Sequence, residues 1–420
     1  MAMSADSFYA DVVDKYTKYI NPFQARLMGF AGFGVEMRGD GCYIFDHDGR
    51  RFLDCLGGFG TFALGHRHPK VIEAVRAQLD TITLSGKAFF SKPSADLAEA
   101  LAGVAPKGLQ FSFFCNSGAE AVEGALKFAK GATQRKKIIS TTNSFHGKTL
   151  GALSTMGREK YRIPFEPLIP GVEFVPYGDS EAASRVIDRE TACMIVEPLQ
   201  GEGGIIVPPD GYLASLREAC DRNGALLICD EVQTGLGRTG KMWGCDHDGV
   251  SPDLMPLAKA IGGGVMPLGV MMGTPAVWEA VYSNNPFAHT STFGGNPIAC
   301  AAGLAGIKVV RDEGLPERAE VMGSLFKAAL GEVKRKHPDT VAEIRGRGLM
   351  LGMEMAMDEV GELVVSQLLK RGMCVAYTLN NPGVLRIEPP LIINEEQIEF
   401  AARCLDESLA ETEDLIAALI

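Results

Sequence analysis

No apolar run in this chain reaches the length needed to cross a bilayer, about 20 residues, so no membrane role is expected. The first 25 residues lack a basic stretch followed by an apolar core, and no secretory signal is visible. There is no cluster of basic side chains. Acidic residues outnumber basic ones, 52 to 41, for a net charge of −11. That balance makes nucleic acid an unsuitable partner. The 10 cysteines include no C-x-x-C pair, which excludes the usual zinc spacing, and no metal is expected. Most lie in apolar stretches, where free thiols pack as small hydrophobes. The expected setting is the reducing cytoplasm. Internal repeats, low-complexity segments and linkers are also missing.

What remains is a globular chain, 46% hydrophobic and 22% charged. Its 420 residues exceed one ordinary core, so a large and a smaller domain are expected. Residues 1–40 read as a partly helical lead-in. Residues 43–54 read as a hairpin turning at Asp48-Gly49. The glycine-rich stretch Cys55 to Thr61 either touches a ligand or makes a tight crossing. His66 and His68 have no companions at metal-ligand spacing and read as structural. An amphipathic helix follows at 70–80. Helices are expected at 93–104, 118–131, 181–188 and 211–223. Short apolar strands are expected at 110–115, 137–141, 173–176, 192–197, 225–231 and 267–273. This alternation implies an α/β domain with a mostly parallel sheet, whose ligands bind at the carboxyl ends of strands. Long helices at 297–312 and 315–336, a strand at 349–356, and helices at 359–371 and 395–410 suggest a smaller α+β domain at the C-terminal end.

Lys259 carries the chemistry. It is one lysine in an apolar run, followed closely by Gly262, Gly263 and Gly264. An apolar site disfavours the ammonium form and makes the amine a nucleophile, as a Schiff-base lysine requires. A surface lysine before a glycine loop has the same local pattern, and the window alone does not separate the two. Ser117, Gly118 and Ala119 run from a strand into a helix, where free N–H groups form an anion site suited to phosphate. A simple N-cap fits as well. Phe145, at another strand end, suits either stacking on a flat ring or core packing. Asp230 follows a core strand, and a carboxylate there needs a partner. A protonated ring nitrogen would serve. An aspartate on a pyridinium nitrogen with a lysine on the same cofactor is how a protein holds pyridoxal phosphate. Glu197 and Glu202 lie on one glycine loop, and Arg386 sits in an apolar strand-like run. A buried arginine implies a carboxylate, from the protein or from a substrate.

Taken together these motifs resemble the class III (ornithine/GABA-type) aminotransferases over about residues 30–410. The residues that carry the resemblance are Ser117-Gly118-Ala119-Glu120, Phe145-His146-Gly147, Glu197-Pro198, Gln200-Gly201-Glu202, Asp230 to Gly235, Lys259, Ser291 to Pro297, and Arg386. The resemblance implies fold type I of the pyridoxal-phosphate transferases: a large domain with a mostly parallel seven-stranded sheet and a smaller α+β domain. Residues 1–75 would form an N-terminal segment belonging to the small domain, 76–305 the large cofactor domain, and 306–420 the C-terminal small domain. It implies that Lys259 carries the cofactor and shuttles the proton, and that Asp230 keeps the ring nitrogen protonated. Val232 and Phe145 would sandwich the ring, and Gln233 would contact its hydroxyl. His146 and Glu197 would belong to the same cofactor site. Ser117, Gly118 and Ala119 would bind the phosphate, and Thr292 would reach the phosphate of a neighbouring subunit in a homodimer or a dimer of dimers. Glu202 would mask Arg386 when an amine binds and swing away for 2-oxoglutarate; pyruvate is the other acceptor considered.

Within the family the resemblance is closest to the putrescine-acting members. The motif departs from the ornithine and acetylornithine pattern at Lys148, where those enzymes carry an arginine that receives a substrate carboxylate. Lysine is no equivalent for bidentate binding and fits a diamine donor. The alternatives are an ornithine, acetylornithine or 4-aminobutyrate donor, or an aminomutase of the same fold. A second departure is Ala119 in place of threonine, which removes one hydroxyl from the phosphate site and implies weaker cofactor retention.

Overall fold

The computed structural model describes residues 4–418. The outermost residues of the expected 1–75 and 306–420 segments, 1–3 and 419–420, lie outside the described residues. In chain order the strands are β1 (Glu36–Asp40), β2 (Tyr43–Asp46), β3 (Arg51–Asp54), β4 (Phe111–Cys115), β5 (Lys137–Thr141), β6 (Val172–Val175), β7 (Thr191–Val196), β8 (Leu226–Cys229), β9 (Leu254–Leu257), β10 (Gly269–Gly273), β11 (Val341–Arg347), β12 (Met350–Met355), β13 (Met373–Cys374), β14 (Ala376–Tyr377) and β15 (Val384–Ile387).

The architecture is α/β. Seven strands form the central sheet in the order β4-β10-β9-β8-β7-β5-β6. Only β10 runs against its neighbours; the other pairings are parallel. The inner strands β7, β8, β9 and β10 read as nearly unbroken apolar runs because both faces are covered. In β7, Met194 and Val196 join one core with Leu213 and Leu216 of the Tyr212–Asn223 helix. Cys193 and Ile195, pointing the other way, join a second core with Val122, Leu126 and Phe128 of the Gly118–Thr133 helix.

Two further four-stranded sheets flank this unit, β1-β2-β3-β13 and β11-β12-β15-β14. The hairpin expected at 43–54 is β2–β3, with Gly49 at φ 77° in its turn. Its β3 pairs in parallel with β13, more than 300 residues later in the chain. Leu53, Cys55, Ala63 and Leu64 accordingly share a core with Phe326, Leu330, Leu385, Leu405 and Leu409.

The expected helices and strands lie within a few residues of their observed bounds, and the last helix continues to Ala417. Two central features differ from the sequence pattern. β9 is a strand in the middle of the sheet although it contains Pro256, which argues against a central strand. The Pro256 carbonyl accepts from Glu231 N–H at 3.1 Å, just past the end of β8. The missing proline N–H, on that same side, therefore falls where the β8 ladder has already ended. The second is the glycine-rich stretch after β3. Gly57, Gly58 and Phe59 take φ values of 58°, 58° and 59°, three successive left-handed residues. A Cβ on Gly57 would lie 2.2 Å from the carbonyl oxygen of Glu388, so this loop is a tight crossing against the end of β15.

Gly57→Ala introduces both a left-handed strain and a clash with backbone. It is expected to destabilise the fold by about 2 kcal/mol or more, read as a lowered thermal midpoint; an unchanged midpoint would show that the crossing can relax.

Candidate active site

Five parallel strands deliver their carboxyl ends to one cavity of about 650 Å³. The loop after β4 brings Ser117, Gly118 and Ala119; after β5, Phe145, His146 and Lys148; after β7, Glu197; after β8, Asp230, Val232 and Gln233; after β9, Lys259. This is where a doubly covered sheet leaves room, since its helices block the faces but not the strand ends.

Lys259 follows β9 by two residues and has φ 52°, a strained conformation for a side chain of its size. It is half-buried, and desolvation of its amine lowers its pKa; the charges of Glu388 and Glu202 oppose that and Arg386 adds to it. The net direction is down, so the neutral amine is reached below the ordinary lysine range.

Asp230, 4% exposed, is held at both oxygens. Oδ2 lies 2.7 Å from His146 Nδ1 and Oδ1 accepts from Val232 N–H at 3.1 Å. The other ring nitrogen, His146 Nε2, is buried without a partner. The acid pair Asp230-Glu231 is split by the extended backbone. Asp230 faces the cavity, whereas Glu231 points away and accepts from Gly244 N–H at 2.9 Å and Cys245 N–H at 2.7 Å.

Ser117 is an N-cap, its Oγ accepting from Glu120 N–H at 3.2 Å. The cap and anion readings are compatible. The hydroxyl satisfies the third N–H of the helix and leaves those of Gly118 and Ala119, which no helical carbonyl can reach, at the cavity wall. A Cβ on Gly118 would sit 3.0 Å from Val232 Cγ1 and 3.3 Å from Ala258 Cβ, so only a hydrogen fits without displacing those neighbours.

Glu197 fastens two loops together: Oε1 accepts from Phe145 N–H at 2.9 Å and Oε2 from Gly201 N–H at 3.1 Å. Burial pushes its pKa up to about 7, against the pull of His146 and these N–H groups.

Behind the cavity lies a second group of charges. Arg386 on β15 is fully buried, and its Nη2 lies 2.6 Å from Glu202 Oε2. The contact is not aligned as a hydrogen bond, and none of the three guanidinium nitrogens has a hydrogen-bonded partner. Its other neighbours are Glu388, 3.8 Å away, and the ring of Phe59 at 5.2 Å. Burial would raise the pKa of Glu202, but Arg386 outweighs it and the net direction is down. Gln233 donates through Nε2 to both oxygens of Glu388, at 2.9 and 2.8 Å.

The structure thus gathers Lys259, Asp230, Ser117, Gly118, Ala119, Phe145, His146, Glu197, Val232, Gln233 and Lys148 around one cavity. Glu202 and Arg386 are a pair behind it rather than part of its wall, felt at Lys259 through their charges. Lys148 is exposed, its ammonium 5.5 Å from the centre of the Tyr161 ring. Thr292 is exposed and outside the cavity of its own chain. Glu388 was missed by sequence reasoning. Its signal was there: Arg386 and Glu388 alternate with Leu385 and Ile387, so Glu388, just past β15, falls on the same side as Arg386.

The donor set fits pyridoxal phosphate. It offers a desolvated amine, a helix N-terminus with two free N–H groups, a buried carboxylate for a ring nitrogen, and an aromatic and a branched side chain along the walls.

Known proteins agree. The family model Aminotransferase class-III matches residues 33–409. Ornithine aminotransferase from Toxoplasma gondii ME49 is 33% identical with a TM-score of 0.89, over 98% of this chain and 96% of that one. An aminotransferase from Bacillus anthracis is 29% identical with a TM-score of 0.91, over 98% and 100%. The omega transaminase from Pseudomonas jessenii in complex with PMP is 28% identical with a TM-score of 0.86, over 94% and 96%. A further ornithine aminotransferase structure from Toxoplasma gondii has partial occupancy of PLP at its active site.

Glu197 gives the site a pH signature. Between its ordinary value of 4.5 and its folded value of about 7, the unfolded chain has released the proton and the folded chain retains it. Its contribution to stability therefore falls as pH rises through that window. Glu197→Gln is neutral throughout and removes this slope. Thermal midpoints of cofactor-free protein are expected to show the variant gaining on the wild type from pH 5 to pH 7.5; parallel curves would count against the shift.

Proposed function

The chain belongs to the class-III aminotransferases, whose cofactor is pyridoxal phosphate, and from that premise we propose that it moves a terminal amino group from putrescine or a related diamine to 2-oxoglutarate. The products are an aminoaldehyde and glutamate; from putrescine, 4-aminobutanal would close to 1-pyrroline. The observation that carries this reading is the state of the two cations a donor could meet. Arg386 is covered by Glu202, and Lys148 is a single point charge on a flexible stem. Neither offers a bidentate fork to a donor carboxylate. A diamine has none to place.

When bound, pyridoxal phosphate supplies an aldehyde that condenses with amines and a ring that withdraws electron density from the carbon losing its proton. The rest falls to the protein. Gly118 and Ala119 N–H groups and the Ser117 turn would hold the phosphate. Asp230 would keep a proton on the ring nitrogen, its orientation fixed by His146. Phe145 and Val232 would pack against the ring, and Gln233 would contact its hydroxyl. Lys259, its ammonium form disfavoured by desolvation, would hold the cofactor at rest and then carry the proton from the donor carbon. Glu202 neutralises Arg386 while the amine is bound and yields to the 2-oxo acid. Glu388 braces Gln233 and shares the charge of Arg386. Thr292, exposed on its own chain, would reach the phosphate held by a second copy in a homodimer or dimer of dimers. The 10 cysteines, all buried and unpaired, favour a cytoplasmic setting.

A second reading takes ornithine as the donor. It is favoured by the 33% identity to a chain named ornithine aminotransferase, and Lys148 would then hold the donor carboxylate.

Initial rates of glutamate formation separate the two, with putrescine and ornithine compared at equal concentration and saturating cofactor. Putrescine is expected well ahead; ornithine level or ahead would move the protein to the amino-acid branch. Lys259→Ala is expected to abolish turnover and the visible band of the enzyme-bound cofactor. Arg386→Ala is expected to slow the 2-oxoglutarate half-reaction by about 2–5 kcal/mol of lost charged contact while sparing the amine half-reaction.

A further inference from the structure

The turn between β14 and β15 grips Glu202 twice. Leu379 N–H donates to Glu202 Oε2 at 2.8 Å, and Asn380 N–H donates to the Glu202 carbonyl at 2.9 Å. The oxygen held by Leu379 is the one that contacts Arg386 at 2.6 Å. Arg386 itself lies on β15, directly across from Ala376 of β14. One hairpin therefore carries both the arginine and the clip that keeps the glutamate over it.

The clip is in turn fixed by two side chains outside the ion pair. The Tyr161 hydroxyl donates to the Leu379 carbonyl at 3.0 Å. The Asn380 amide donates to the carbonyls of Asn143 at 2.8 Å and Ser144 at 3.3 Å, just before Phe145. Asn380 is 2% exposed and its Oδ1 has no partner. A buried amide with an unpaired oxygen is unfavourable, so its Nδ2 contacts are what hold it in place. Tyr161 and Asn380 thereby fasten Leu379 to the loop that carries Phe145 and to the short helix at Glu159–Arg162.

We propose that Tyr161 and Asn380 are positioning residues that set how firmly Glu202 covers Arg386, and through it the balance between a donor without a carboxylate and an acceptor that carries one. This rests on the reading of Glu202 as a removable cover. A loosened clip weakens one of the two contacts on Oε2. The glutamate then leaves the arginine more readily, and a 2-oxo acid finds the guanidinium open more often. An amine donor meets a less neutralised site. The two half-reactions move in opposite directions, which general loosening of the fold does not produce.

The test measures the half-reactions separately, by single turnover, in Tyr161→Phe and Asn380→Ser holoenzymes. The donor is the fastest of putrescine, cadaverine and benzylamine, and the acceptor is 2-oxoglutarate. Tyr161→Phe removes one hydroxyl and keeps the ring, so the fold is retained. The KM for 2-oxoglutarate is expected to fall, and that for the amine to rise, by about two- to tenfold, the worth of one neutral hydrogen bond, with kcat little changed. In a Glu202→Ala background the Tyr161→Phe effect should vanish, because the cover is gone. Both KM values moving together, neither moving, or the same split persisting without Glu202 overturns the proposal. Arg386→Ala distinguishes the two failures. Equal damage to both half-reactions in that variant removes the cover itself. Selective damage there, with an unchanged KM ratio in Tyr161→Phe and Asn380→Ser, removes only the role of the clip.

Discussion

A guanidinium without access to water needs compensating acceptors; buried Arg238 is met by the carbonyls of Leu349 and Pro389, and Arg386 by carboxylates on which much of the interior converges. Arg386 is fully buried between Glu202 and Glu388, with an aromatic face above it. Removing one partner of such a pair leaves an uncompensated charge, which is why buried pairs are strongly destabilising to break. Glu202 is fixed to the β14–β15 turn, Glu388 to Gln233, and the backbone N–H of Glu388 to the Cys55 carbonyl at 2.7 Å, just before the left-handed turn. The charge pair thus ties the C-terminal hairpin to loops that come from the central sheet and from the N-terminal strands.

The same charges reach the cavity. Lys259 is not hydrogen-bonded to them, but Glu388 and Glu202 raise its proton affinity while desolvation and Arg386 lower it. The Glu202–Arg386 pair and the proton affinity of Lys259 are therefore coupled through space, in an interior where screening by water is weak; in the proposed function, a cover moving off Arg386 would change that balance. Asp230, whose charge also acts on Lys259, is held by His146 and by the backbone of Val232, so one cavity presents both a carboxylate and an amine.

How much of this could be read beforehand depends on the range of the interaction. Strands such as 137–141 and helices such as 297–312 follow from local apolar periodicity and keep their expected bounds. β9 did not, because a proline in a central strand is tolerable only where the neighbouring ladder has ended, and that is a property of β8 rather than of residues 254–257. Asp230 and Lys259 stood out as polar residues in apolar runs. Glu388 stood beside Arg386 with the same signal but without a partner that the local sequence could supply; its partner Gln233 lies 155 residues away. Ser117 offered a choice between cap and anion site, and the helix geometry accommodates both.

The sequence by itself determined the alternation of helix and strand, the apolar setting of Lys259 and the end-of-strand positions of Ser117, Phe145, Glu197 and Asp230. These depend on residues within a few positions of one another, where propensity and burial act directly. Only the tertiary structure decided that those four strand ends and Lys259 share one cavity, and that the 378–383 turn and Tyr161 hold Glu202 against Arg386, a pairing the family resemblance implied. Those pairings join segments up to 218 residues apart, and short-range hydrogen bonds between such segments exist only once the sheet order has brought them within reach.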